Sequence, residues 1–354
     1  MTAPRDGREL GAPLDAHRLD EATLSSYLAE KLPGFSGEFT IQQFLGGQSN
    51  PTYLIEAESG NYVLRKKPPG ELLPSAHAVD REFRVTSALL DSAVPVARTH
   101  LLCEDKNIIG QIFYVMDYVP GRVIADPGLP DCTADERNDM YRSLVDVLGS
   151  LHAFDYQAAG LETFGRPTGY VARQVARWSK QYEASKLEDF EPMDRLIEHL
   201  PQCNPADSRS AIVHGDYRLG NVIFDSERPC VASVLDWELS TIGHPFADLG
   251  YFLMPFHLDS GCAINGLLGM DIESLGIPTQ QSLLEEYARS VGLDDVPNID
   301  YYIAFSMFRL AAILAGVLKR GMDGNAADPR ATEVGYTFKQ IAKRGWEILN
   351  GHSA

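Results

Sequence analysis

The apolar pattern of this chain changes period at Pro120-Gly121, and that change limits the folds open to it. Ahead of the break, short runs of aromatic and β-branched residues alternate with polar ones. Phe39, Ile41 and Phe44 lead into Gly46-Gly47, and Tyr53, Ile55 and Ala57 follow. Ser59-Gly60-Asn61 supplies a turn, after which Tyr62 to Lys66 resumes the pattern. A period of two between turn signals predicts antiparallel hairpins. Pro95 opens a further strand region, and Ile108 to Val119 reads as two strands around Gly110. Two helical stripes interrupt the strands. One ends near Pro33 and carries Leu19, Leu24, Tyr27, Leu28 and Leu32. The other runs from about Val79 to Leu90, with Phe83, Leu89 and Leu90 as its apolar face.

Beyond Gly121 the helical period dominates. Thr133 to Asp155 is a long helix opening on a capping pair, Thr133 and Glu136. Tyr170 to Leu187 is another. The only strands read there are Val222–Phe224 and Val231–Leu235. Tyr301 to Val317 is the longest apolar stretch; it is short for a membrane span and carries Arg309 mid-way, so a buried helix is expected. The chain's 354 residues fit two units at about 150 residues each. The expected fold is therefore α+β, with a strand-rich unit over 1–119 and a helix-rich unit over 120–354.

Composition narrows the function classes. Acidic residues number 49 against 31 basic ones, a formal charge of −18, which disfavours nucleic-acid and anionic-membrane partners. The five cysteines are scattered and form no CxxC pair, which argues against a disulfide framework and a zinc site. With no apolar signal core in residues 1–20, a reducing, cytoplasmic setting is expected.

Chemistry concentrates in His214-Gly215-Asp216-Tyr217-Arg218-Leu219-Gly220-Asn221 and in Leu235-Asp236-Trp237-Glu238. Asn221 precedes one strand of a predicted hairpin and Asp236 follows the other. A hairpin places such residues side by side, with Asp216 on the loop just before. Two carboxylates and a carboxamide are hard oxygen donors suited to Mg²⁺ and its phosphate co-ligands. The remaining carboxylate can accept a proton from a hydroxyl nucleophile. Singly, each of these residues reads as a turn or cap; the HxDxxxxN loop, hairpin and Asp together do not.

That combination resembles the aminoglycoside phosphotransferase and choline-kinase-like family of the protein-kinase-like superfamily. It is most similar to the kinase-like domain joined to acyl-CoA dehydrogenases. Further matching segments are Leu45 to Asn50, Tyr62 to Gly70 and Leu235 to Tyr251, in the family's order. The resemblance implies a bilobal kinase-like fold, with an antiparallel sheet plus helix in the N-lobe and a mostly helical C-lobe with a small β-hairpin. It implies Asp216 as catalytic base or as the group orienting the substrate hydroxyl, Asn221 and Asp236 as metal ligands, His214 as structural, and Asp248 as the residue tying down the catalytic loop. An N-cap role for Asp248 is compatible.

For the nucleotide, ATP or GTP, the resemblance implies Gly46, Gly47, Ser49 and Asn50 at the phosphates. It also implies Arg65 as the phosphate-pairing cation, with Lys67 as the alternative, and Glu82 as that cation's helix partner. One or two of Arg65, Lys66 and Lys67 are expected to be solvated edge charges, and Asp80 and Arg81 surface charges. The segment 116–119 implies a hinge at which Asp117 and Val119 bind adenine through the backbone. Arg218 reads equally as a phosphate contact or a surface salt bridge.

Arg173 and Arg177, four apart on the Tyr170 helix beside Trp178, read either as a site for an anionic or acyl substrate or as a surface helix with Trp178 packed on the core. Arg309 reads as a cleft residue or a buried ion pair. The expected activity is ATP- and Mg²⁺-dependent transfer of the γ-phosphoryl to a small-molecule hydroxyl, a hydroxyacyl-CoA-like metabolite among the candidates. The alternatives are an aminoglycoside- or choline-type kinase and a catalytically silent nucleotide-binding module.

Overall fold

The structure is a computed structural model and describes residues 9–45, 50–69, 78–205, 209–261, 263–326 and 328–351. Its strands are β1 (Leu10–Gly11), β2 (Phe39–Phe44), β3 (Thr52–Ala57), β4 (Gly60–Lys66), β5 (Thr99–Cys103), β6 (Phe113–Asp117), β7 (Ala211–Val213), β8 (Val222–Phe224), β9 (Val231–Val234) and β10 (Thr241–Gly243). Its helices are α1 (Glu21–Lys31), α2 (Val79–Leu89), α3 (Lys106–Ile109), α4 (Ala134–Ala153), α5 (Tyr170–Ser185), α6 (Glu191–His199), α7 (Pro245–Leu253), α8 (Ile272–Leu275), α9 (Gln280–Ser290), α10 (Ile299–Met322), α11 (Ala331–Tyr336) and α12 (Phe338–Leu349). They form two units. The first comprises Met1–Ile124, Ala159–Leu161 and Asn221–Ser240; the second comprises Ala125–Ala158, Glu162–Gly220 and Thr241–Ala354.

In the first unit β1 to β6 make one antiparallel sheet in the order β1-β2-β3-β4-β6-β5. Register pairs Tyr53 with Leu64 and Leu64 with Val115. With period-two alternation, one face carries Tyr53, Ile55, Tyr62, Leu64, Phe113 and Val115, which form a core with Leu24 and Leu28 of α1. Leu54, Val63, Arg65 and Tyr114 fall on the opposite face, against which α2 packs through β6. The buried face of α2 is Val79, Glu82, Val85, Thr86 and Leu89, so Phe83 and Leu90 are flanking rather than central as expected.

The segment around Gly110 is not a second strand. Asp105 caps α3 by accepting from the Asn107 amide, and Gly110 closes it with a left-handed φ of 84°. The β8–β9 hairpin belongs to the first unit: Val234 N–H donates to Pro95 O, and Arg122 and Phe224 exchange amide hydrogen bonds, each at 2.8 Å.

The second unit is built around α10, which packs against α5, α7, α11 and α12. It is 24 residues long and almost wholly buried. It alone among the described helices is long and apolar enough to cross a membrane, and 83% of its most apolar window is buried inside the protein. The capping box at Thr133 and Glu136 opens α4 as expected. Two strands absent from the sequence expectation, β7 and β10, pair as a short ribbon. Three residues each are too few to show a period.

Candidate active site

In the first unit, alternation along β4 puts Arg65 and Lys67 on the α2 face. The Arg65 guanidinium reaches three carboxylates: Glu82 Oε2 at 2.8 Å, Asp236 Oδ1 at 2.6 Å and Glu238 Oε2 at 3.9 Å. Lys67 Nζ lies 3.1 Å from Asp80 of the same helix. Lys66 points to the other face, is 4% exposed, and sits 5.9 Å over the Tyr53 ring. None of these three cations is a solvated edge charge, contrary to expectation, because both sheet faces are covered. Asp80 and Arg81 are likewise engaged, the latter donating to Ser240 O at 3.3 Å.

Glu82 is 1% exposed and is held from three sides, by Arg65, by Tyr114 Oη at 3.2 Å and by Asn50 Nδ2 at 2.7 Å. Asn50 is thus spent, in part, on the carboxylate behind the cation. Gly46, Gly47 and Ser49 lie outside the described residues. Burial pushes the Glu82 carboxyl up to about 7. Arg65 opposes this, but Asp236 and Glu238 share the same guanidinium and add like charge. For Arg65, burial favours loss of the proton, and Glu82, Tyr114, Asp236 and Glu238 outweigh it, holding the guanidinium charged.

One cation among three carboxylates leaves an excess of negative charge in a partly buried cluster. Asp236 follows β9 in the left-handed region, φ 60° and ψ 59°, a conformation unfavourable for a residue with a Cβ. Leu235 N–H donates to Asn221 O at 2.8 Å, which sets Asn221 and Asp236 at one end of the β8–β9 hairpin as expected. Among the described residues no three His, Cys, Asp or Glu side chains form a ready metal cluster. Asn221 and Asp236 bring a carboxamide and a carboxylate, both hard oxygen donors of the kind Mg²⁺ takes, to that end of the hairpin.

At the end of β6, Asp117 N–H donates to Arg98 O and Tyr118 N–H to Asn61 O, while the Asp117 carboxylate takes a 2.6 Å bond from His100. Val119 follows, half-buried.

In the second unit, His214-Gly215-Asp216 leaves β7. Gly215 adopts φ 85°, and the buried Asp248 accepts from the His214 and Gly215 amides at 2.5 and 2.9 Å. Burial alone would raise the Asp248 carboxyl; His152, His214 and the Gly215 amide outweigh it and hold it below the usual range. The cap of α7 is His244, whose side chain accepts from Phe246 N–H, so Asp248 ties the loop without capping the helix. His214 Nδ1 accepts from the Asp216 amide at 3.2 Å, a structural role. Arg218 Nε lies 3.4 Å from Asp216 Oδ2, on a side chain half-exposed to solvent.

On α5, Arg173 is spent on the carbonyls of Thr168 and Arg166, while Arg177 is exposed and stacks 5.3 Å over Trp178. Trp178 is 8% exposed and donates to Gln174 Oε1. Arg309 makes no ion pair among the described residues. It is 8% exposed, donates to Gly215 O, and lies 5.7 Å from the Trp178 ring and 5.4 Å from that of Tyr251. The contact between Tyr251 and Asp216, 35 positions apart, gave no sequence signal.

Residues 40–272 match the profile of the phosphotransferase enzyme family. The chain belongs to this family. Acyl-CoA dehydrogenase family member 10 of Mus musculus is 43% identical over 93% of the chain, and family member 11 of Rattus norvegicus 38% over 98%. The chain spans only 31% and 45% of those two relatives. A solved structure from Ralstonia eutropha JMP134, named after the aminoglycoside phosphotransferases, is 40% identical with a TM-score of 0.87, covering 95% of this chain and all of that one.

Two more distant structures share the fold alone. Choline kinase of Cryptosporidium parvum Iowa II has a TM-score of 0.64 at 11% identity, covering 94% of this chain and 97% of that one. A spectinomycin phosphotransferase solved with ADP and spectinomycin has 0.63 at 13%, covering 94% and 98%. The fold of this phosphotransferase is kinase-like, α+β, with an antiparallel sheet toward its N-terminus and a helical C-terminal region.

Proposed function

We propose that the chain transfers the γ-phosphoryl of ATP to a hydroxyl of a small molecule. The observation that supports this best is the matching chemistry each unit carries, in the order of the sequence: in the second, the Asp216 loop pinned by Asp248; in the first, Asn221 and Asp236 flanking a hairpin, with Arg65 on Asp236. In the reaction the acceptor oxygen bonds to the γ-phosphorus and the bond from that phosphorus to the β–γ bridging oxygen breaks. ADP leaves, and the acceptor proton passes to the Asp216 carboxylate and on to solvent. Asn221 and Asp236 would hold Mg²⁺, which when bound neutralises phosphate charge. Arg65, kept charged and braced by Glu82, would contact the phosphates. The backbone at 117–119 would take the base, and Arg218 the transferring group. We place the chain in the cytoplasm; the four described cysteines, Cys103, Cys132, Cys203 and Cys230, are all free thiols.

For the acceptor we propose a hydroxylated acyl thioester. The relatives named for acyl-CoA dehydrogenases support this class, as does exposed Arg177 on a basic, aromatic helix. An ATP-consumption screen against hydroxyacyl-CoA thioesters, aminoglycosides and choline tests it. ADP release with phosphorylated thioester is the expected result. Turnover on an aminoglycoside or choline alone would overturn this acceptor class.

A further inference from the structure

Arg309 poses a problem that its helix cannot solve. A guanidinium buried in α10 without a carboxylate among its described partners is costly unless other groups compensate it. The compensation here is specific. The cation lies between the faces of Trp178 and Tyr251, and its Nη2 donates to the carbonyl of Gly215. Two electron-rich rings and a carbonyl dipole stand in for the missing anion.

What the arrangement does is fix Asp216. Gly215, whose carbonyl takes the Arg309 bond, immediately precedes Asp216; the Asp216 amide of the same peptide donates to His214 Nδ1, so Arg309 fixes the carbonyl end and His214 the amide end of a peptide that follows a left-handed glycine, φ 85°. Tyr251, 8% exposed, lies under the guanidinium and has the Asp216 carboxylate as a neighbour of its hydroxyl. Burial, with Asp216 next, pushes that hydroxyl upward, so it remains a donor throughout the working pH range. The carboxylate thus neighbours both the buried Tyr251 hydroxyl and the half-exposed Arg218.

We propose that Tyr251 and Arg309 are positioning residues for Asp216: the tyrosine hydroxyl orients the carboxylate, and the arginine locks both the tyrosine ring and the Gly215 peptide. This rests on the reading of Asp216 as base. Neither residue touches substrate. Their loss should misaim the base without weakening nucleotide binding, and small misplacements of a base cost about 10- to 100-fold.

The test uses the full chain with MgATP as the probe and water as the acceptor. Four variants are compared with wild type: Tyr251→Phe, Arg309→Met, Arg309→Lys and Asp216→Asn. Tyr251→Phe should lower kcat about 10-fold with the KM for ATP and the unfolding midpoint held. Arg309→Met should lower kcat at least as far, with partial recovery in Arg309→Lys. If Arg309→Met does not fold, Tyr251→Phe, which removes one oxygen atom, decides alone. Wild-type kcat in Tyr251→Phe together with loss of turnover in Asp216→Asn would overturn the positioning role and leave the base standing. Retained turnover in Asp216→Asn would overturn the base itself. Where wild-type hydrolysis is too slow to measure, hydrogen exchange at amides 214–218 decides: faster exchange in Tyr251→Phe supports the role, and unchanged exchange overturns it.

Discussion

Arg65 pairs with three carboxylates, Glu82, Asp236 and Glu238. Its pairing with Glu82 follows from the family resemblance and from alternation along β4. Its reach to Asp236 and Glu238, some 170 positions away, was not legible, because sequence spacing does not report which strand end meets which loop. Asn50 shows the same limit: a residue read as a phosphate donor is a buried donor to Glu82.

The raised Glu82 carboxyl gives a pH prediction. Its folded pKa of about 7 lies above the ordinary value of 4.5, so its contribution to stability is full below about 4.5 and is lost as pH rises through 7. Between pH 6 and 8 the nucleotide-free protein should lose about 1 kcal/mol from this group. Unfolding midpoints of wild type and Glu82→Gln across that interval measure it. The wild-type curve should fall more steeply, and parallel curves would contradict the assignment.

At the scale of elements, period and punctuation located the long pieces well. The six-residue strands β2 and β3, the capping box of α4 and the hairpin β8–β9 were all readable. One-turn α3 was not, since Asp105 and Gly110 are cap signals that a strand-like Ile-Ile pair obscures. Pro120-Gly121 marked the change of period, but not its reason. Gly121 has φ 143°, and a Cβ there would sit 2.2 Å from Phe224 O, where the chain bonds to β8. Gly121→Ala should cost on the order of 2 kcal/mol, by strain and overpacking together. Chemical denaturation reads the loss, and a wild-type midpoint would show that β8 tolerates the displacement.

At the scale of the molecule, the −18 charge and the phosphate chemistry stand in apparent conflict. On the proposed function the conflict is local rather than global: Arg65 supplies a cation among three carboxylates, and a divalent cation held by Asn221 and Asp236 would supply the rest of the charge a polyphosphate needs. Asp236→Ala should accordingly remove the Mg²⁺ dependence of ATP binding. Calorimetry with and without the metal measures this, and an unchanged Mg²⁺ dependence would count against Asp236 as ligand. Composition told nothing of this, because bulk charge averages over local arrangement.

Everything proposed for this chain turns on Asp216 as acceptor of the proton of the phosphorylated hydroxyl. Turnover of Asp216→Asn on the best acceptor from the ATP screen, with ATP affinity and unfolding midpoint measured alongside, tests it most directly. A fall in kcat of at least about 10²-fold with both controls unchanged is the expected result. Turnover at the wild-type rate would contradict it.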